Sequence, residues 1–146
     1  MKRERYKLSV SVFLVIRRGK EILLLKRENT GWMDGFFSIP AGAIDGNETL
    51  VNAVIREAQE EVGITVDHKD VLLSHTMHCF THNEEWLGQF FSTKKWKGDL
   101  RVMELNKHSE IKWVEVNNLP NNTIPYVIQA INKITHKVNY SSYRDS

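Results

Sequence analysis

Glu57, Glu60 and Glu61 stand close together in the stretch Arg56-Glu57-Ala58-Gln59-Glu60-Glu61. On a helix of 3.6 residues per turn their carboxylates fall within about 100° of one another. Two or three hard oxygen ligands on one rigid element suit a divalent cation such as Mg²⁺. That ion keeps several waters and takes phosphate oxygens as its other ligands. Stability alone accounts poorly for the arrangement. Like charges at i,i+3 and i,i+4 each disfavour a helix by roughly 0.2–0.5 kcal/mol. The acids also fall in the last turn, where the negative end of the helix dipole repels them. Arg56, four residues before Glu60, offsets only part of this. A solvated acidic face is the plain alternative for an isolated string of this kind. Glu61 fits that reading least well, and on this stretch alone both readings stay open. On the wheel it points to the edge of an apolar stripe made by Leu50, Val51, Val54, Ile55, Ala58 and Val62. A carboxylate there needs a cation or a hydrogen-bond donor.

The elements that position these acids follow from local pattern. Thr49 to Val62 reads as a helix, with Thr49 as N-cap and Gly63 just past its end. Ahead of it, Leu8 to Ile16 alternates with a second face that is also partly apolar. That fits a central strand covered on both sides. Arg17 to Lys20 is a turn, and Glu21 to Lys26 returns as a second strand. Asn29 to Asp34 reads as a loop, and Pro40 ends any strand before it. After the helix, Ile64 to Val66, Val71 to Phe80, Glu85 to Thr93 and Ile111 to Val116 read as strands. A second helix begins near Pro125, with Val127, Ile131, Ile134 and Val138 as its stripe. Strands and helices do not alternate regularly, which predicts an α+β fold with a mixed sheet. The polar tail 139–146 is expected to be loose.

Composition narrows the function classes. The 146 residues, 41% hydrophobic and 26% charged, fit one domain spanning 1–146 and exclude a disordered chain. The net charge is only +2, which argues against a dedicated nucleic-acid binder. The charge is nonetheless segregated. Asp45 to Glu61 holds five acids against Arg56 alone, whereas Arg17 to Glu28 and Lys94 to Arg101 are basic. This suits a small anionic ligand held through metal and steered by basic neighbours. Cys79 is the only cysteine, so no internal disulfide forms, in keeping with a cytoplasmic protein. No apolar run approaches the roughly 20 residues of a membrane-spanning helix. The basic start, Met1 to Arg5, leads into a strand and does not read as a signal peptide.

The segment from Gly42 to Ile64 carries a longer pattern. Gly42, five residues, Glu48, seven residues, Arg56-Glu57, Glu60-Glu61 and Gly63-Ile64 match the Nudix box at every defined position. Seven fixed identities at this spacing arise by chance on the order of 10⁻⁸ per starting position. The sequence therefore resembles the Nudix hydrolases, and its strand order extends the likeness over most of the chain. The resemblance implies an α/β/α sandwich around a mixed sheet. It also implies hydrolysis of a nucleoside diphosphate linked to another moiety, dependent on Mg²⁺ or Mn²⁺. By family role, Glu57, Glu60 and Glu61 are metal ligands, and one of them is also a candidate base. The backbone carbonyl of Ala41 joins them. Arg56 orients the glutamates, and Gly42 and Glu48 support the loop from behind.

Other sites are less determined. A further acid from a late loop is expected at Glu104 or Glu110, with Glu85 as a third candidate. Arg27 could meet a phosphate, and Trp32 or Phe36 could stack on a base. Both readings compete with ordinary strand-end and core packing. His75, His78 and His82 invite a zinc reading, but strand alternation puts His75 and His78 on opposite faces. The marks of the ADP-ribose, dinucleoside polyphosphate and NADH branches are absent. By elimination the chain is most similar to the small nucleoside triphosphate pyrophosphatases of the MutT-like type. A nucleotide-sugar hydrolase and a non-catalytic nucleotide-sensing module are the alternatives. The expected partner is a small-molecule nucleotide, with no membrane. Family relatives include both monomers and homodimers, so both states stay open.

Overall fold

A computed structural model describes residues 3–145, so Met1 and Lys2 of the basic start and Ser146 of the tail lie outside the described residues. The strands are β1 (Ser9–Arg18), β2 (Glu21–Arg27), β3 (Phe37–Ser38), β4 (Ala41–Ala43), β5 (Leu72–Thr81), β6 (Glu84–Thr93), β7 (His108–Glu115) and β8 (Tyr140–Arg144). The helices are α1 (Leu50–Val62) and α2 (Pro125–Thr135). The sheet runs β3-β2-β1-β6-β5-β8, with β4 also on β1 and β7 also on β2. β1 pairs in parallel with β6, and β5 with β8; the other pairs are antiparallel, so the sheet is mixed.

The double-faced pattern of β1 explains the layering. Val12, Leu14 and Ile16 pack with Ala53, Val54, Ala58 and Val62 of α1. The intervening Phe13 and Val15 pack on the other face with Val127, Ala130 and Ile131 of α2. β2 divides likewise, Leu23 and Leu25 toward α1, Ile22 and Leu24 toward α2. Both faces of the two strands are therefore dry, which is why they read as near-continuous apolar runs.

α1 forms as expected. The Thr49 hydroxyl accepts from the Asn52 N–H at 3.1 Å, and Gly63, at φ 74°, returns its N–H to the Gln59 carbonyl. That left-handed conformation favours glycine.

Three local expectations differ from the structure. Ile64 to Val66 makes a single bridge, Thr65 with Lys97, and no strand. α2 stops at Thr135, and Lys137 at φ 57° turns the chain away, so Val138 lies outside the helix. The tail is not loose: Tyr140–Arg144 adds to β5 as an edge strand. The ladder to β5 holds it, with side-chain contacts from both sides. Ser141 bonds the His75 ring at 2.7 Å and the Gln129 amide at 3.1 Å, while Tyr143 meets Tyr126 edge-on. No helix among the described residues is long and apolar enough to cross a membrane.

Candidate functional site

β4 is the floor of the site. Its residues Ala41, Gly42 and Ala43 pair with Phe13, Val12 and Ser11 of the central strand. The last turn of α1 closes on it: the Ala41 N–H donates to Glu61 Oε2 at 2.8 Å. This clip ties helix to strand through a carboxylate that is only 9% exposed. Burial pushes the Glu61 carboxyl up to about 8, with Glu57 and Glu104 adding repulsion, while the Ala41 N–H opposes the shift.

Glu57 lies beside Gly42. A β-carbon at position 42 would overlap the Glu57 carboxylate, so the close approach requires glycine there. Burial raises the Glu57 carboxyl above its ordinary value, and Arg56 partly opposes this. Gly42→Ala is expected to displace the carboxylate and weaken divalent-metal affinity by about 10-fold or more, because a group that positions a ligand typically matters to that extent. Calorimetric titration of Mg²⁺ into the folded variant checks it; unchanged affinity would contradict the role of the close contact.

Arg56 is the organiser. Its guanidinium grips Glu48 at 2.8 and 3.3 Å, and its second amino group reaches Glu57 at 3.0 Å and Glu60 at 3.3 Å. Asp45 stands 3.6 Å away. The fork holds Glu48 below the usual carboxylate range. Arg56 does not pair with Glu61, and Glu61 has no ion-pair partner among the described residues. A buried carboxylate without a cation is the kind of group that binds a metal. The donor set therefore fits a divalent ion.

The late loop contributes Glu104. The Arg101 and Met103 N–H groups cap the Val62 and Glu61 carbonyls at 3.1 Å each, docking the loop onto the end of α1. Ligand atoms of Glu61, Glu104 and His108 then lie within 4.8 Å of one another. Glu110 goes elsewhere: it faces Lys26 across the β2–β7 ladder, at 3.8 Å. Glu85 also goes elsewhere, accepting from Tyr6 and contacting His78. His108 was not a sequence candidate, and nothing in its spacing from Glu61 advertises it.

A cleft of about 510 Å³ opens on the β4 floor, walled by Trp32, Trp86, Tyr126 and Arg27. Trp32 stacks on Tyr126, with ring centroids 6.3 Å apart, and its indole N–H donates to His82. Arg27 donates to the Trp32 carbonyl at 3.0 Å and to the Thr30 hydroxyl at 2.9 Å, so it fixes the Asn29 to Asp34 loop. Phe36 does not line the cleft; it packs against the α2-side core. Of the three histidines considered for zinc, His82 holds Trp32, His78 holds Glu85, and His75 bonds the Val138 carbonyl and Ser141. They form no shared site. Cys79 is buried, and burial pushes its thiol up to about 12, far from a reactive thiolate.

Known proteins share this architecture. The sequence profile of the NUDIX domain matches residues 5–134. An 8-oxo-dGTP diphosphatase of Proteus vulgaris is 31% identical over 97 residues, 66% of this chain and 85% of its own length. An ADP-ribose pyrophosphatase of Methanocaldococcus jannaschii is 30% identical over 77% of this chain, but the match spans only 64% of that protein. A NAD-capped RNA hydrolase of Chromobacterium violaceum is 30% identical, and there the chain spans 43% of the relative. Among solved structures, a MutT NUDIX hydrolase from Burkholderia pseudomallei superposes with a TM-score of 0.79 at 26% identity, covering 87% of this chain and 98% of that one. Nearly nine-tenths of the sequence falls under one profile, and the box glutamates Glu57, Glu60 and Glu61 sit with Arg56 on one helix beside the strand that carries Gly42. The chain belongs to the MutT-like Nudix hydrolases, enzymes of the phosphoanhydride bond.

Proposed function

We propose that this protein hydrolyses a nucleoside or deoxynucleoside triphosphate to the monophosphate and pyrophosphate, using Mg²⁺. One juxtaposition supports the reading: an acidic cluster and an aromatic cleft share the Ala41 to Ala43 floor. A nucleotide has the matching halves, a polyphosphate and a flat base. Glu57, Glu60 and Glu61 would hold the metal, with the Ala41 carbonyl and Glu104 beside them. When bound, the metal neutralises the polyphosphate, lowers the pKa of bound water and holds the attack in line.

The chain's own residues do the rest. Arg56 holds Glu57 and Glu60 at set positions, so little reorganisation is left for the reaction. The Ala41 N–H fixes one oxygen of Glu61 and leaves the other free. A glutamate of this set takes up the proton released by the attacking water. Trp32 is held through its indole N–H by His82 and through its carbonyl by Arg27, whose guanidinium also lies 4.9 Å over the ring. It borders the cleft where a base would lie, and stacking there would be worth about 1–3 kcal/mol.

The test is a panel of nucleoside triphosphates, nucleotide sugars, ADP-ribose and dinucleoside polyphosphates with and without Mg²⁺, read by chromatographic separation of the nucleotide products, with pyrophosphate measured as the second product of the triphosphates. The expected result is metal-dependent pyrophosphate release, strongest with a triphosphate. A higher kcat/KM for ADP-ribose or a nucleotide sugar would replace this substrate with a nucleoside diphosphate derivative. Nucleotide binding with no turnover on any member would leave a sensing module in place of an enzyme.

A further inference from the structure

The late loop and the start of β7 bring a nitrogen donor into the acidic cluster. His108 is 7% exposed, and its Nδ1 is buried with no hydrogen-bond partner. An orphaned buried polar atom disfavours the fold unless something meets it. The ring is not adrift. The His108 N–H donates to the Glu104 carbonyl at 3.0 Å, and the pairing with Arg27 fixes its place on β7. One of its ring nitrogens lies within 4.8 Å of carboxylate oxygens of both Glu61 and Glu104.

We propose that Glu61, Glu104 and His108 form a mixed oxygen–nitrogen position that takes first-row transition dications in preference to Mg²⁺. The imidazole nitrogen is what sets this position apart from the all-oxygen set of Glu57, Glu60, Glu61 and the Ala41 carbonyl. Mg²⁺ favours oxygen ligands in strict octahedral order, whereas imidazole nitrogen favours the transition ions. Three donors about 2.1 Å from one cation at tetrahedral angles stand about 3.4 Å apart, so atoms that lie within 4.8 Å of one another have at most about 1.4 Å to close. Each member has an atom to give. Glu61 has one oxygen engaged by Ala41 and a second without that bond. Glu104 is partly exposed, with Lys107 at 3.3 Å on one oxygen. His108 has one ring nitrogen in reach of both carboxylates, and its Nδ1 has no partner. The inference rests on the hydrolase reading in that Glu61 and Glu104 are common to both metal positions; His108 is what it adds.

The experiment is a titration of the full chain with Mn²⁺ over one to three equivalents in a tenfold or greater excess of Mg²⁺, followed by pulsed electron paramagnetic resonance; displacement of all bound Mn²⁺ by the Mg²⁺ overturns the preference. Wild-type protein is expected to show ¹⁴N modulation from a directly bound imidazole. His108→Phe is expected to lose that modulation and to bind the corresponding Mn²⁺ about 10-fold or more weakly. If the Phe variant does not fold, His108→Gln serves, since it keeps a polar group without an imidazole. Mn²⁺ bound to the wild type without ¹⁴N modulation overturns the inference. So does modulation that persists in a folded His108 variant, because it then belongs to another histidine. The two readings fail separately. Mg²⁺-dependent hydrolysis without ¹⁴N modulation leaves the hydrolase and removes the nitrogen ligand; modulation without hydrolysis does the reverse.

Discussion

Replacing Glu57 by glutamine is expected to lower kcat by about 10³-fold and leave the fold intact, since groups that stabilise developing charge at a pre-organised site contribute on that scale. The substitution is nearly isosteric, so the contact with Gly42 survives. What goes is one negative charge in a half-buried setting, where electrostatic interactions are least screened. Arg56 does not lose its anchor, because Glu48, Glu60 and Asp45 still surround it. The loss is therefore local to metal and phosphate. Glu60 provides an internal comparison. Its side chain is 51% exposed against 13% for Glu57, so Glu60→Gln is expected to reduce kcat less than Glu57→Gln. Mg²⁺-dependent pyrophosphate release, paired with a thermal melt of each variant, reads both. A folded Glu57→Gln protein within threefold of wild-type kcat would remove Glu57 from the site.

The parts of this site that were legible in sequence are those written within one element. Thr49, Gly63 and the 3.6-residue period fix α1, and the wheel alone turns Glu61 toward the apolar stripe, where the structure buries it. The double apolar face of β1 likewise foretells helices on both sides of the sheet. The illegible parts depend on contacts between distant segments. Spacing cannot separate Glu104 from Glu110; the capping of α1 carbonyls by Arg101 and Met103 does. His108 joins Glu61 only because that loop docks. The tail looked loose because its polar residues bury little, yet its place is set by the ladder to β5 and by Ser141 and Tyr143. Backbone pairing carries almost no side-chain signature. The aromatic cleft is similar. Trp32 was a candidate, but its setting on Tyr126 and His82 unites three separate stretches of chain.

Glu61→Gln is expected to move activity and stability in opposite directions. Activity should fall by at least about 10²-fold, as for loss of a pre-organised charged group. Metal-free stability should rise at alkaline pH, and the sign follows from burial. The Glu61 carboxyl is pushed from 4.5 up to about 8 in the folded chain, so the fold binds its proton more tightly than the unfolded chain does. Its contribution is full below the unfolded value and is lost as pH rises through about 8. Other groups bracket the window. Glu48, Asp34 and Glu85, all held low by hydrogen bonds, lose their contributions only in acid. His108, lowered from 6.5 by burial, acts in the opposite sense below that value. Between about pH 6.5 and 8 the metal-free wild type should therefore lose on the order of 1–2 kcal/mol that the Gln variant keeps. The amide can still accept from the Ala41 N–H, so the clip between α1 and β4 survives. Saturating Mg²⁺ should erase the difference by supplying the missing cation to wild type alone. Melting both proteins across that pH range, in chelator and then in Mg²⁺, reads every part of this. A wild type whose metal-free stability is flat from pH 6.5 to 8, or a variant that Mg²⁺ stabilises as much as wild type, would show that the buried carboxylate is not the cation's partner.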